Sequence, residues 1–174
     1  MPLAITSLIY AGFWTLDPID GTLGFLRGGQ YAVCLALIVD GKVKVGVLGC
    51  PNLSTTFNDS ASARGVLIYG VSGDKAYQTT LDGYSTENSK VCEMHKVDDL
   101  AKAKFCESVE SGHSSHEEQA QIAKLLGIQT ASVRMDSQAK YASLTRGDAE
   151  IYLRLPVNMK YEEKIWVRTI PFPN

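Results

Sequence analysis

Apolar positions in this chain change period about two thirds of the way along. Residues 31–39 form a nearly unbroken apolar run, as a strand buried on both faces would. Asp40-Gly41 supplies hairpin chemistry, and residues 42–50 return with Val43, Val45 and Val47 in alternation. Pro51 is predicted to end that strand. Upstream, residues 13–16 make a short apolar run that meets Asp17-Pro18-Ile19-Asp20-Gly21. Proline fixes φ and holds the preceding residue extended, so this reads as a strand stopping at a turn. Residues 52–64 are polar and small, a predicted surface loop. Residues 65–71 and 76–81 pattern as a second hairpin around Ser72-Gly73-Asp74. Residues 80–90 read as loop, and short strands are predicted over 91–97 and 105–109.

From residue 115 the rhythm becomes helix, strand, helix, strand. Ser115-His116-Glu117-Glu118 fits a capping box, and Ile122, Leu125 and Leu126 follow at helical spacing up to the stop at Gly127. Residues 130–135 read as a strand, 136–146 as a second helix ending at Gly147, and 151–155 as an alternating strand. There is no internal repeat and no linker-like tract. The pattern predicts a layered α/β domain with a mixed sheet.

With 174 residues, 45% of them hydrophobic and 21% charged, the chain has the size and composition of one globular domain. A formal net charge of −2 provides no overall field for nucleic acid or an acidic membrane, so any anionic ligand must be held by local donors or a metal. The four cysteines (Cys34, Cys50, Cys92 and Cys106) lie far apart, and the predicted state is free, buried thiols in a cytoplasmic protein. The first eleven residues are apolar without a basic flank and too short to span a bilayer, which takes about 20 apolar residues.

The candidate chemistry sits at the acidic turn. Asp17 and Asp20 are separated by two residues at the mouth of a strand, where a turn can aim both carboxylates at one point. At about 5 Å and an effective dielectric of about 20, they would repel by roughly 3 kcal/mol. A hard cation with oxygen ligands removes that repulsion, and Mg2+ suits one or two carboxylates plus substrate phosphate oxygens. The Ile19 carbonyl could add an oxygen, and Gly21 and Thr22 would offer free amides to a phosphate. Asp-Pro-x-Asp-Gly is equally good chemistry for a purely structural turn.

The longer motif Trp14-Thr15-Leu16-Asp17-Pro18-Ile19-Asp20-Gly21-Thr22, followed by Gly24-Phe25, resembles the metal-binding signature of the inositol monophosphatase superfamily. Residues 13–51 look like one branch of it, the 3′(2′),5′-bisphosphate nucleotidases of sulfur assimilation. Three later blocks are similar to the same branch: Gly112-His113-Ser114-Ser115-His116, Asp136-Ser137-Gln138-Ala139-Lys140-Tyr141 and Tyr152-Leu153-Arg154-Leu155-Pro156.

That resemblance implies a partial α/β/α/β/α sandwich. It also implies Mg2+ ligation by Asp17, Ile19 and Asp20, with Thr22 orienting the attacking water. The implied reaction is hydrolysis of the 3′-phosphate of 3′-phosphoadenosine 5′-phosphate by metal-activated water, without a covalent intermediate. His113, Ser137, Lys140 and Arg154 match positions that contact the nucleotide. On pattern alone, Ser137 and Lys140 share one face near a helix start, and Arg154 points away from the layer of Ile151, Leu153 and Leu155. Taken singly, Lys140 fits a solvated helix charge, Arg154 a strand-edge ion pair and His113 a structural residue. His116 is read as serving the helix start.

The resemblance further implies a longer segment before the acidic turn, carrying a glutamate ligand and an acidic partner for the threonine, and an aspartate ligand where Val167 stands. The first twelve residues contain no Asp or Glu. The expectation is therefore one incomplete phosphatase domain over 1–174, from a truncated gene product or gene model, without measurable turnover. Residues 13–51 form its metal-binding part and 105–166 its nucleotide-binding part. The alternatives are a nucleotide-binding remnant and an inositol phosphate phosphatase; the predicted partner is a small nucleotide bisphosphate, and oligomeric state is not legible.

Overall fold

The computed structural model describes residues 12–57, 59, 61–83, 85–110 and 116–154. Among these residues six strands form an antiparallel meander in chain order: β1 (Phe13–Asp20), β2 (Ala32–Val39), β3 (Lys42–Ser54), β4 (Arg64–Val71), β5 (Ala76–Thr80) and β6 (Lys90–Val91). The β2–β3 turn is built as its residues require, with φ of 52° at Asp40 and 71° at Gly41, the two positive values of a tight hairpin.

Several expectations change here. β2 is not buried on both faces: Ala32, Cys34 and Ile38 are buried, whereas Val33 is 38% exposed. An antiparallel meander packs one face on the core, so its apolar run does not report two-sided burial. Trp14 and Leu16, 56% and 60% exposed, lie on the same outer face. Pro51 does not end β3, because it falls where the β3–β4 register slips between Cys50 and Ser54, and a proline is tolerated at such an irregularity. The strand expected over 91–97 shrinks to the Lys90–Val91 pairing with β5.

A second, parallel pair joins β7 (Cys106–Ser108) to β8 (Val133–Met135). The strand expected over 151–155 is reduced to one parallel bridge between Phe105 and Ile151, with Leu155 outside the described residues. Among the described residues three α-helices complete the order: α1 (Thr22–Leu26), α2 (His116–Leu125) and α3 (Ala139–Thr145). Ser115, the expected cap of α2, lies outside the described residues. The far end of α2 closes as Gly127 implied: Ile128 N donates to Ala123 O at 2.9 Å and Gly127 N to Lys124 O at 3.2 Å, a Schellman motif around a φ of 72°.

α3 is the central element. Ala139 and Ala142, fully buried, face Ala32, Cys34, Leu48, Cys50, Val66 and Ile68 of the meander. Leu144, with Tyr141 beside it, packs towards Cys106 and Ala149 on the other side. Alanine keeps the helix thin, so its backbone approaches the sheet closely. The result is the expected layered α/β architecture, with antiparallel and parallel pairing divided between two sheets. All four cysteines are free, and burial pushes the Cys50 and Cys106 thiols up to about 12, leaving them unreactive. Among the described residues no helix is long and apolar enough to cross a membrane.

Candidate active site

β1 does not stop at Asp17. It runs through Pro18 to Asp20, and the register against β2 shifts on the way: Asp17 pairs with Cys34 and Asp20 with Ala32. Three steps on β1 thus span two on β2, the signature of a bulge, and proline is tolerated at a bulge. This extra residue decides the chemistry. In an unbroken strand, positions three apart project to opposite faces. The bulge restores parity, so Asp17 and Asp20 share the face of Ala32 and Cys34, the face on which α3 packs. The Asp17 carboxylate accepts from Ile19 N at 3.2 Å, which fixes the peptide between the two acids.

Gly21 follows with a φ of 84° and turns the chain into α1, a single turn of helix. A Cβ at Gly21 would lie 2.5 Å from Ser137 Cβ, so the acidic segment is pressed against the start of α3. Gln138 N donates to Asp20 Oδ2 at 2.6 Å across that junction. Gly24 is packed as tightly, against Gln30 O and Asp136.

The electrostatics converge on the same point. Burial raises the Asp20 pKa above the ordinary carboxylate value; Asp17 adds to the rise, and the Gln138 amide, Lys140 and Arg154 oppose it. Burial lowers the Lys140 pKa, with Asp20 among the groups that hold it up and Arg154 pushing it further down. Asp20 therefore feels Asp17, Lys140 and Arg154 across β1, α3 and the segment after Ile151.

The positions differ from expectation in three respects. Ser137 is not on the helix: it precedes α3 in a left-handed conformation with a φ of 59°, and its Oγ accepts from Ala139 N at 3.1 Å. This local bond from the backbone to the hydroxyl helps a residue other than glycine hold that geometry. Lys140 is no solvated charge, being only 7% exposed, with Nζ 3.5 Å from Met135 O and 5.9 Å above the Tyr152 ring. Arg154 is half-buried and follows a single bridge rather than alternating in a strand; it bonds the Tyr152 side chain. Thr22 is exposed at the start of α1. His113 lies outside the described residues, and His116 opens α2 with Nε2 2.9 Å from Ser108 O, the structural place expected of it.

Sequence reasoning passed over Arg27. Its Nη2 donates to both oxygens of Asp136 at 3.0 Å, and its Nη1 reaches Glu110. The available signal was an arginine set among Gly24, Gly28 and Gly29 directly after the acidic motif.

The donors present fit a divalent ion by their chemistry. Two carboxylates on one face, one of them raised in pKa partly by the other, form a pair that a hard cation would relieve, and Mg2+ commonly uses one or two protein carboxylates. Among the described residues no group of three or more His, Cys, Asp or Glu side chains gathers to hold an ion.

Comparison with known proteins decides the family. The profile of the inositol monophosphatase family matches residues 8–166. The chain belongs to the inositol monophosphatase family. Among curated members it is 51% identical over 164 residues to a 3′(2′),5′-bisphosphate nucleotidase of Emericella nidulans, covering 88% of this chain and 47% of that protein. A Schizosaccharomyces pombe protein of the same name is 53% identical over 154 residues, covering 88% of this chain and 43% of its own. The chain thus spans about half the length of the curated relatives it matches. Solved structures of the family share the fold: Mycobacterium tuberculosis SuhB superposes with a TM-score of 0.58 at 23% identity, covering 84% of this chain and 54% of that one. CysQ from Bacteroides thetaiotaomicron gives 0.58 at 22%, covering 82% and 52%. The resemblance read from the acidic motif and the three later blocks therefore holds at the level of family and fold.

Proposed function

We propose that this chain carries the metal turn and nucleotide-binding helix of a phosphatase that removes the 3′-phosphate of 3′-phosphoadenosine 5′-phosphate, yielding AMP and phosphate. The observation that carries the reading is the β1 bulge, which turns Asp17 and Asp20 to one face, with Asp20 within electrostatic reach of Lys140 and Arg154. The names of the relatives support the substrate class.

In this reading Asp17, Asp20 and the Ile19 carbonyl would hold Mg2+. When bound, the ion supplies Lewis acidity at the phosphoryl oxygens and lowers the pKa of a bound water. The chain's own residues do the rest. Thr22 and the amides around Gly21 seat the phosphate; α1 is one turn long, so the grip comes from individual donors rather than a helix dipole. Lys140 offers a positive point charge that burial leaves poorly hydrated, and Arg154 offers a fork of donors suited to phosphate oxygens. Ser137 presents a hydroxyl from a backbone held in place by the α3 turn, and His113 contributes from the preceding block. The reaction fits the recycling of the bisphosphate by-product of sulfate activation in the cytoplasm.

Phosphate release with Mg2+ from adenosine 3′,5′-bisphosphate, compared with inositol phosphates, tests the proposal. Release from the nucleotide that is abolished by Asp20→Ala supports it, and preference for inositol phosphates overturns the substrate. A second reading has one observation in its favour: only two carboxylates meet among the described residues. Nucleotide binding without phosphate release would select that reading, a binding protein without turnover.

A further inference from the structure

Arg27 joins three segments that the sequence separates widely. It caps the end of α1, seven positions after Asp20, with its backbone N–H on Leu23 O at 3.2 Å. Its Nη2 donates to Oδ1 and Oδ2 of Asp136, both at 3.0 Å, and its Nη1 to Glu110. Asp136 immediately precedes Ser137, and Glu110 lies just before the Gly112–His116 block. One guanidinium therefore ties the helix that follows the acidic motif to Glu110 and to the first residue of the Asp136–Tyr141 block.

An exposed ion pair usually contributes little, and the Arg27 side chain is 46% exposed. Three features set this one apart. Asp136 is only 12% exposed, so its charge is poorly served by water. Asp136 also sits against Gly24 and Gly29, where an added Cβ would come within 2.9 and 3.4 Å of its Oδ2, so its carboxylate has little room to reorient. Finally, the residue after it is Ser137, held at a φ of 59° where an L-residue rests only if its surroundings enforce it. Next along the chain is Gln138, whose amide grips Asp20.

We propose that Arg27 is a positioning residue: by fixing Asp136 it holds Ser137 in its left-handed turn and the Gln138 amide on Asp20, setting the distance between the acidic pair and the nucleotide-binding helix. The inference rests on the proposed function for its consequence, and on geometry alone for the clamp. Lysine cannot replace arginine, because a single ammonium cannot serve two carboxylates on different segments with the same fixed fork.

Hydrogen exchange at the Gln138 amide reads the clamp without substrate, and calorimetric titration with adenosine 3′,5′-bisphosphate and Mg2+ reads its consequence. Arg27→Met is expected to speed Gln138 exchange about tenfold while β2–β4 amides keep wild-type rates, a local opening. Nucleotide affinity is expected to fall about tenfold, as when an outer support of a ligand site is lost. Asp136→Asn in the Arg27→Met background should add little to either effect. Unchanged Gln138 exchange, exchange that rises equally throughout the sheet, or faster exchange with unaltered affinity would each overturn the assignment. If Arg27→Met does not fold, Arg27→Lys keeps the charge and stem and is expected to show the same local opening; wild-type protection in Arg27→Lys overturns it. Failure of the wild-type chain to bind nucleotide would refute the proposed function, and the exchange measurement would still decide the clamp.

Discussion

Gln138 N donates to Asp20 Oδ2 at 2.6 Å, joining residues 118 positions apart. The bond links the end of β1 to the first turn of α3, and it works against burial in setting the proton affinity of Asp20. An amide aimed at a carboxylate is a charge-assisted contact, stronger than a neutral one. It also leaves Asp20 held in a single direction, toward the face shared with Asp17.

Asp20→Asn should therefore separate charge from shape. Phosphate release with Mg2+ is expected to fall at least about 100-fold, the upper range for losing even an outer support of a metal site. The pH dependence of stability, measured with a chelator, follows from the raised pKa. Between the unfolded and folded values the native state keeps a proton that the unfolded state has released. The carboxyl's contribution is thus complete below the unfolded value, about 4, and is lost as pH rises through the raised folded value. Wild type should lose more stability than Asp20→Asn over that rise, and Mg2+ should restore wild type alone. Parallel pH profiles of the two proteins would contradict this.

Under the proposed function, the burial of Lys140 serves a ligand at the expense of the unliganded fold. Its ammonium is buried against Met135 O and the Tyr152 ring, and its pKa is lowered chiefly by that burial. Lys140→Met keeps the length of the side chain and removes the buried charge. Its expected signature is a rise in melting temperature of about 2–4 °C, corresponding to about 1 kcal/mol in a domain of this size, with weaker nucleotide binding. Thermal unfolding and titration on the same protein check both halves; a drop in stability would show that Lys140 supports the fold.

Much of this arrangement was readable in advance, and what was not has physical causes. Asp40-Gly41, Gly127 and Gly147 marked turns and helix ends correctly because their positive φ angles are local requirements. The acidic motif was legible as a pair, but strand alternation alone would send Asp17 and Asp20 to opposite faces. The bulge that reunites them depends on pairing with Cys34 and Ala32, which are distant in sequence. Burial of Lys140 was invisible for the same reason, since it arises from packing between two sheets. Arg27 offered a charge without an address, because both its partners lie more than eighty positions away.

Gly24 and Gly28 form a contrast within one short segment. A Cβ at Gly28 would meet nothing within 4 Å, so Gly28→Ala costs only the strain of a φ of 69°, about 1 kcal/mol. A Cβ at Gly24 would overlap Gln30 O and come within 2.9 Å of Asp136 Oδ2. Backbone oxygen cannot rotate away, so α1 must shift, at a cost of about 1–3 kcal/mol. Gly24→Ala is expected to weaken nucleotide binding as well, because it displaces Asp136 and Ser137, whereas Gly28→Ala should bind normally. Equal binding by the two variants would argue that α1 does not set the site.

Away from the site, the largest single stability effect should come from Arg146. Its Nε donates to Asp148 Oδ2 at 2.5 Å and its Nη1 to Ser54 O at 2.6 Å, with the two side chains only 8% and 5% exposed. Lys104 Nζ reaches the Asp148 carbonyl at 2.9 Å, so this knot pins the end of β3 to the end of α3. Burial already raises the Asp148 pKa, and Arg146 is the main force opposing it. Arg146→Met would leave a buried carboxylate without its counter-ion, a change that costs about 3–5 kcal/mol. The sign with pH is fixed by the same reasoning. With Arg146 gone the folded pKa climbs further, so the deficit relative to wild type should widen as pH rises from about 4 to neutrality. Urea unfolding at the two pH values measures it, and a deficit that stays constant would mean that Asp148 does not depend on Arg146 for its charge.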